Sequence, residues 1–278
     1  MKKFIAAFDG LKFSESLQDY AIEIAKSNTA HLVGVSLEDI TYHSYKIYEL
    51  ITDSGVSETK LKKLEEEDTV KRKEAVHLFE TNCNKKGIPH SIHHDTKIAI
   101  KELLHESVYA DLLIVDSKET LTHYEEKKPT RFIRELLADV QCPVLLVPQK
   151  YKPIEKVIML YDGEPSSVFA IRMFYNTLPQ MTELPCEVLS IRYMDNNMHI
   201  PDNRLMKEFM KRHFPKAIYA TEKGVPELEI LNHLKEQNEN ILVVLGAYQR
   251  GTVSRWLRQS LADVLMKETK YPLFIAHK

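Results

Sequence analysis

Glycine is scarce in this chain. Only 8 of its 278 residues are glycine, under half of the roughly 7% usual in soluble proteins, so any backbone that must lie close to a ligand has few positions to use. Cysteine is scarcer. Cys83, Cys142 and Cys186 form no C-x-x-C pair, which argues against a disulfide framework and a thiolate metal site and for buried free thiols. No apolar run approaches the roughly 20 residues of a membrane span, and "MKKFIAAFDG" reaches Asp9 too soon to hold a signal-peptide core. The expected location is therefore cytoplasmic. Neither charge is in excess: 38 Lys and Arg against 40 Asp and Glu leave a net charge of -2, with no electrostatic case for nucleic acid or an acidic membrane surface. The Gly-Lys-Ser/Thr end of a P-loop, the G-x-G-x-x-G dinucleotide fingerprint and the G-x-S-x-G nucleophile elbow are all missing.

What is present is an alternation. "KKFIAAFDG" reads as a strand ending in Asp-Gly, and Leu17, Tyr20, Ala21, Ile24 and Ala25 then follow helical spacing. "AHLVGVSL" is a second strand, the charged segment from Thr59 to Lys86 a helix stopped at Gly87, and "PHSIHHD" a short strand. "IAIKELLHESV", "ADLLIVDS", "TRFIRELLADV" and "CPVLLVP" continue as helix, strand, helix, strand. Such alternation predicts a parallel sheet with helices on both faces.

The succession then repeats. "KVIMLYDGEPSSVFAIRMFYNTL" reproduces strand, Asp-Gly, hydroxyl-rich turn and helix, and the copy closes with "NILVVLGAY", a helix and "YPLFIAH". Asp9 answers to Asp162 and Pro143 to Pro272; the first copy is longer, mainly through an insertion around 38–87. The linker "PQKYKPIEK" puts the boundary near Tyr151, giving domains 1–150 and 151–278.

Open parallel sheets bind ligands beyond the carboxyl ends of their strands, where strand order reverses. In each half that would bring the Asp-Gly turn beside the loop after the fourth strand. In the second half this loop is "LGAYQRGTVSRWLRQS", from Leu245 to Ser260.

A strand ending in Asp-Gly before a Ser-bearing helix, a later "ADLLIV" strand, and a final helix leading into "CPVLLVP" together resemble the universal stress protein family in its tandem two-domain form. The resemblance covers nearly the whole chain twice. It implies two α/β domains, each an open five-stranded, mostly parallel sheet with helices on both faces, of the adenine-nucleotide alpha-hydrolase-like type. It also implies an adenine nucleotide such as ATP as ligand, and pairing of "CPVLLVP" with "YPLFIAH" as an internal pseudo-dimer, which would protect two sheet edges. A homodimer of the whole chain stays open.

The family's nucleotide loop runs Gly, two residues, Gly, nine residues, Gly-Ser or Gly-Thr. Laid on the second half, it falls on Gly246, Gln249, Gln259 and Ser260, so two of three glycines are replaced. Gly251 lies two residues late, while Arg250, Arg255 and Arg258 could supply guanidinium donors to phosphate or stand as exposed helix charges. Asp162 and Gly163 match the family's aspartate turn, which contacts the nucleoside; Asp9 matches it in the first half, where a turn-forming role is the plainer one. The first half's loop, "DSKETLTHYEEKKPTR", has no glycine, and Asp116 puts a carboxylate where phosphates would lie, with Glu119, Glu125 and Glu126 nearby. Any nucleotide should favour the second half.

Other constellations carry less. His90, His93, His94 and Asp95 are metal-ligand types, yet strand geometry sends His90 and His94 to one face and His93 and Asp95 to the other. No catalytic group and no metal ligand set can be named. Trp256 opens the last helix, either packed or lining the crevice. Three functions remain open: an adenine-nucleotide-sensing stress-response binding protein, a nucleotide-independent interaction module with degenerate sites, and a slow ATPase.

Overall fold

The computed structural model describes residues 1–38, 58–95, 99–122, 124–192, 199–246 and 261–277. It divides into two compact units, Met1–Gln141 and Cys142–Lys278.

In the first unit, strands β1 (Lys3–Asp9), β2 (His31–Leu37), β3 (His90–Asp95) and β4 (Leu112–Asp116) lie in the order β3-β2-β1-β4, and all three pairings are parallel. Strand order reverses between β1 and β4, whose carboxyl ends are therefore neighbours. Successive residues of a strand point to opposite faces. Because β4 is buried at every position and β1 at all but its first, both faces of the sheet are covered by helices.

Helix α1 (Glu15–Ser27) starts where the Ser14 side chain accepts the Leu17 amide, and its apolar face of Leu17, Tyr20, Ala21, Ile24 and Ala25 is buried. Helix α2 (Glu58–Lys86) is polar around most of its length and anchors through Ala75, Phe79 and Cys83. Phe79 stacks on Phe8 with ring centroids 5.3 Å apart. Gly34 on β2 makes room for it, since a Cβ there would lie 2.8 Å from Phe79 Cε1. The helix stops at Gly87, whose φ of +67° few other residues tolerate. Helices α3 (Ala99–Ser107) and α4 (Arg131–Asp139) complete the unit.

The second unit holds β5 (Val144–Val147), β6 (Lys156–Leu160), β7 (Cys186–Arg192), β8 (Ile218–Lys223), β9 (Ile241–Gly246) and β10 (Leu273–Ala276), ordered β5-β10-β9-β6-β7-β8. All of these neighbours run parallel except β5 and β10, the strands of "CPVLLVP" and "YPLFIAH", which pair antiparallel from Val144 opposite Ile275 to Leu146 opposite Leu273. That ladder groups β5 with the second unit. Helices α5 (Pro165–Thr177), α6 (Asn203–His213), α7 (Pro226–Lys235) and α8 (Leu261–Glu268) flank the sheet, and Phe174 of α5 packs between Phe214 and Phe274.

Each unit ties its edge strand to a helix with a charged cluster. In the first, Glu106 of α3 sits 3.1 Å from Lys3 Nζ and 2.6 Å from His93 Nδ1 on β3. His93 thus has a carboxylate partner, and the Nδ1 of His90 lies 2.9 Å from the Ile88 carbonyl oxygen. In the second, His233 of α7 lies between Glu187 of β7, at 2.9 Å, and Glu222 of β8, at 2.5 Å, while Lys156 meets Glu187 at 2.6 Å.

Glu187 raises the pKa of His233 above its ordinary 6.5, burial opposes the rise and Glu222 adds to it. The same imidazole and Lys156 hold Glu187 below its ordinary 4.5 against burial. A raised imidazole contributes stability that is complete below 6.5 and is lost as pH climbs through the raised value. A lowered carboxylate contributes stability that is complete above 4.5 and is lost as pH falls through the lowered value. The cluster should therefore stabilise the second unit most between pH 4.5 and 6.5. The urea midpoint of the native chain should exceed that of His233→Gln most in this window, and the gap should narrow toward pH 8.5.

Candidate functional site

The carboxyl ends of β1 and β4 carry Asp9 and Asp116, both buried. Asp9 Oδ1 accepts the Leu11 amide at 2.8 Å, the turn role expected for it. Asp116 Oδ1 accepts the Lys118 amide at 2.8 Å, and its Oδ2 accepts from Ser14 Oγ at 2.8 Å, so the strand-end carboxylate is clasped by the cap of α1. The chain then turns inward. Glu119 is buried, and its Oε1 accepts the amides of Thr120 at 2.9 Å and Leu121 at 3.1 Å.

Thr130, at the start of α4, donates its hydroxyl to the Glu119 carbonyl and accepts the Ile133 amide. Two lysines close the top: Lys128 donates to Ser117 Oγ at 2.7 Å, and Lys12 to Thr120 Oγ1 at 3.3 Å and the Thr122 carbonyl at 2.5 Å. Burial, reinforced by Asp9 and Asp116 and opposed by the two amides, pushes the Glu119 carboxyl up to about 7. The amides that could have faced an anion here donate to the chain's own carboxylates.

At the carboxyl ends of β6 and β9 the arrangement differs. Asp162 is exposed; its Oδ1 accepts the Glu164 amide at 2.9 Å and the Ser167 hydroxyl at 2.7 Å, which fixes the carboxylate at the mouth of the turn. Gly163 has a φ of +93°, and a Cβ there would lie 2.7 Å from Pro201 Cβ. Tyr161 donates its hydroxyl to the Pro201 carbonyl at 3.1 Å, and burial, with Asp202 and Asp162 adding to it, raises its pKa.

Gly246 ends β9 against the start of α5, where a Cβ would stand 2.6 Å from the Ser166 carbonyl oxygen. Met159 pairs with Val244, so the strand register brings Asp162, Gly163 and Gly246 together. Asp9 sits at the corresponding place in the other unit. Gln249, Arg250, Gly251, Gln259 and Ser260, with Arg255, Trp256 and Arg258, lie outside the described residues.

Two site residues escaped the sequence. Ser167, which orients Asp162, was one hydroxyl in "PSS". Glu119 reads in the sequence as local negative charge, though a hydroxyl-rich loop without glycine must satisfy its own amides through side chains. Among the described residues no group of three His, Cys, Asp or Glu could hold a metal, and no helix is long and apolar enough to cross a membrane.

These features define an open α/β protein of two units, each with a reversal of strand order in its parallel strands. No family model and no curated protein matches the sequence. Solved structures do. A universal stress protein from Archaeoglobus fulgidus DSM 4304 superposes with a TM-score of 0.74 at 14% identity, covering 99% of this chain and 98% of its own. A functionally unknown protein from Pseudomonas aeruginosa PAO1 gives 0.62 at 11%, covering 100% and 92%. One from P. aeruginosa UCBPP-PA14, provisionally assigned to the universal stress proteins, gives 0.61 at 13%, covering 100% and 93%. The chain therefore has the universal stress protein fold over its full length, as the strand and turn order led one to expect.

The glycine at 246 is required by packing before any ligand is considered. Gly246→Ala should destabilise the ligand-free second unit by about 1–3 kcal/mol, because the opposing atom is backbone and cannot rotate away. Urea unfolding of the two proteins without nucleotide measures this; equal stability would return Gly246 to a purely ligand-facing role.

Proposed function

We propose that the chain is a cytoplasmic stress-response binding protein of the tandem universal stress protein type, and that its second unit senses an adenine nucleotide. The observation that supports this most directly is the contrast between the twin aspartates: Asp162 is exposed with its carboxylate oriented by its own turn, while Asp9 is buried. Asp162 and Gly163 would take the nucleoside. Gly246 and the following Gln249, Arg250, Gly251, Gln259 and Ser260 would take the phosphates, with guanidinium donors replacing part of the amide cradle that glycines would form. With no catalytic group named, binding rather than turnover is the proposed activity, and neither nucleic acid nor membrane is a proposed partner.

A second reading, a protein-interaction module without nucleotide, is favoured for the first unit by the carboxylates that take up its loop amides. Calorimetric titration of the whole chain with ATP distinguishes the two. Saturable binding is expected. Asp162→Asn, which keeps an acceptor for the turn but removes the charge, should weaken it about tenfold, or about 1.4 kcal/mol. Asp9→Asn should leave it unchanged. No saturable heat at millimolar ATP, or equal weakening by both substitutions, would overturn the nucleotide reading.

A further inference from the structure

We infer that the first unit carries a proton-dependent plug: the loop after β4 folds Glu119 beneath itself, where the neutral acid seals the crevice and the ionised carboxylate loosens it. This goes beyond the reading of the second unit and stands whether or not that unit binds nucleotide. Glu119 is not a surface acid bent inward by chance. Its Oε1 gathers two consecutive amides, its carbonyl accepts the Thr130 hydroxyl, and Thr130 in turn caps α4, so the loop, the carboxyl and the helix start form one bonded unit.

Among the described residues, the charged groups around this carboxyl come from three elements. Asp9 ends β1 and is followed by Lys12; Asp116 ends β4; Lys118 and Lys128 belong to the loop itself. Ser14, at the cap of α1, is neutral and engaged with Asp116. The Lys12 ammonium reaches Thr120 Oγ1 and the Thr122 carbonyl, and that of Lys128 reaches Ser117 Oγ. When ionised, Glu119 stands buried with Asp9 and Asp116 opposing its charge and the amides of Thr120 and Leu121 favouring it. When neutral, it keeps both amides on Oε1, carries the proton on Oε2 and no longer repels Asp9 and Asp116.

The direction follows from linkage. The carboxyl binds its proton more tightly in the closed loop, at about 7, than in water, at 4.5. Closure is thus strongest at low pH, weakens as pH rises from 4.5 toward about 7, and weakens no further above that. Opening frees the amides of Thr120 and Leu121 together.

Hydrogen exchange of the full chain, with protection factors corrected for the intrinsic pH dependence of exchange, tests this at Thr120 and Leu121. Between pH 5 and 8 their protection should fall at least about tenfold, the worth of one unit of pKa displacement, while β1 amides stay constant. Glu119→Gln, which retains an acceptor without a charge, should hold protection flat across the range. Constant protection in the native chain, or the same slope in Glu119→Gln, would overturn the plug. Should that variant fail to fold, carbon-13 titration of the native Glu119 carboxyl decides: a midpoint near 7 supports the plug and one near 4.5 overturns it.

Discussion

Backbone amides at the carboxyl ends of parallel strands must find acceptors, and the source of the acceptor is what separates the two halves of this protein. A turn leaving a strand exposes several N–H groups that no neighbouring strand can satisfy, and burying one unsatisfied costs about 1–3 kcal/mol. In the first unit the chain answers with Asp9, Asp116 and Glu119, each accepting an amide one or two residues beyond itself. In the second, Asp162 serves its own turn in the same way, but it lies exposed. One copy has turned the constraint into internal structure, and the other has left its aspartate facing solvent.

The shortage of glycine sharpens this division. Glycines in such a fold can serve a ligand or serve packing, and those described here are largely committed to packing. Gly34 admits Phe79, Gly246 admits the backbone of α5, and Gly163 admits Pro201 while holding a left-handed turn. The first unit's loop has none, so its amides could be satisfied only through side chains, and a chain rich in Asp, Glu, Ser and Thr there is the consequence.

The alternation of strand and helix and the stop at Gly87 were legible in the sequence, because each rests on local periodicity or a local backbone requirement. The pairing of β5 with β10 was legible only through the family resemblance, since nothing in two short apolar runs specifies their partner. Glu119 was not legible. A glutamate in a loop is ordinarily solvated, and its burial depends on Thr130 and Leu121 returning over it, a tertiary event with no periodic signature. The role of Ser167 likewise depended on knowing that Asp162 turns back toward α5.

The clusters that hold a helix to the edge strand are built alike in the two units, although the turns after the central strands differ. In both units a lysine that starts a central strand, Lys3 of β1 and Lys156 of β6, joins a carboxylate that meets a histidine, and a helix is thereby fastened to the outermost parallel strand. The polarity is inverted: the helix supplies Glu106 and the strand His93 in one copy, while the helix supplies His233 and the strand Glu222 in the other. Either arrangement fastens the edge, because a contact between carboxylate and imidazole does not depend on which element carries which partner. At the carboxyl ends no such exchange is equivalent. An acid at 116 places charge and bulk where the glycine at 246 places neither, so the two carboxyl-end turns differ in local potential and in steric room, whereas the inverted edge clusters leave the strand order the same in both units.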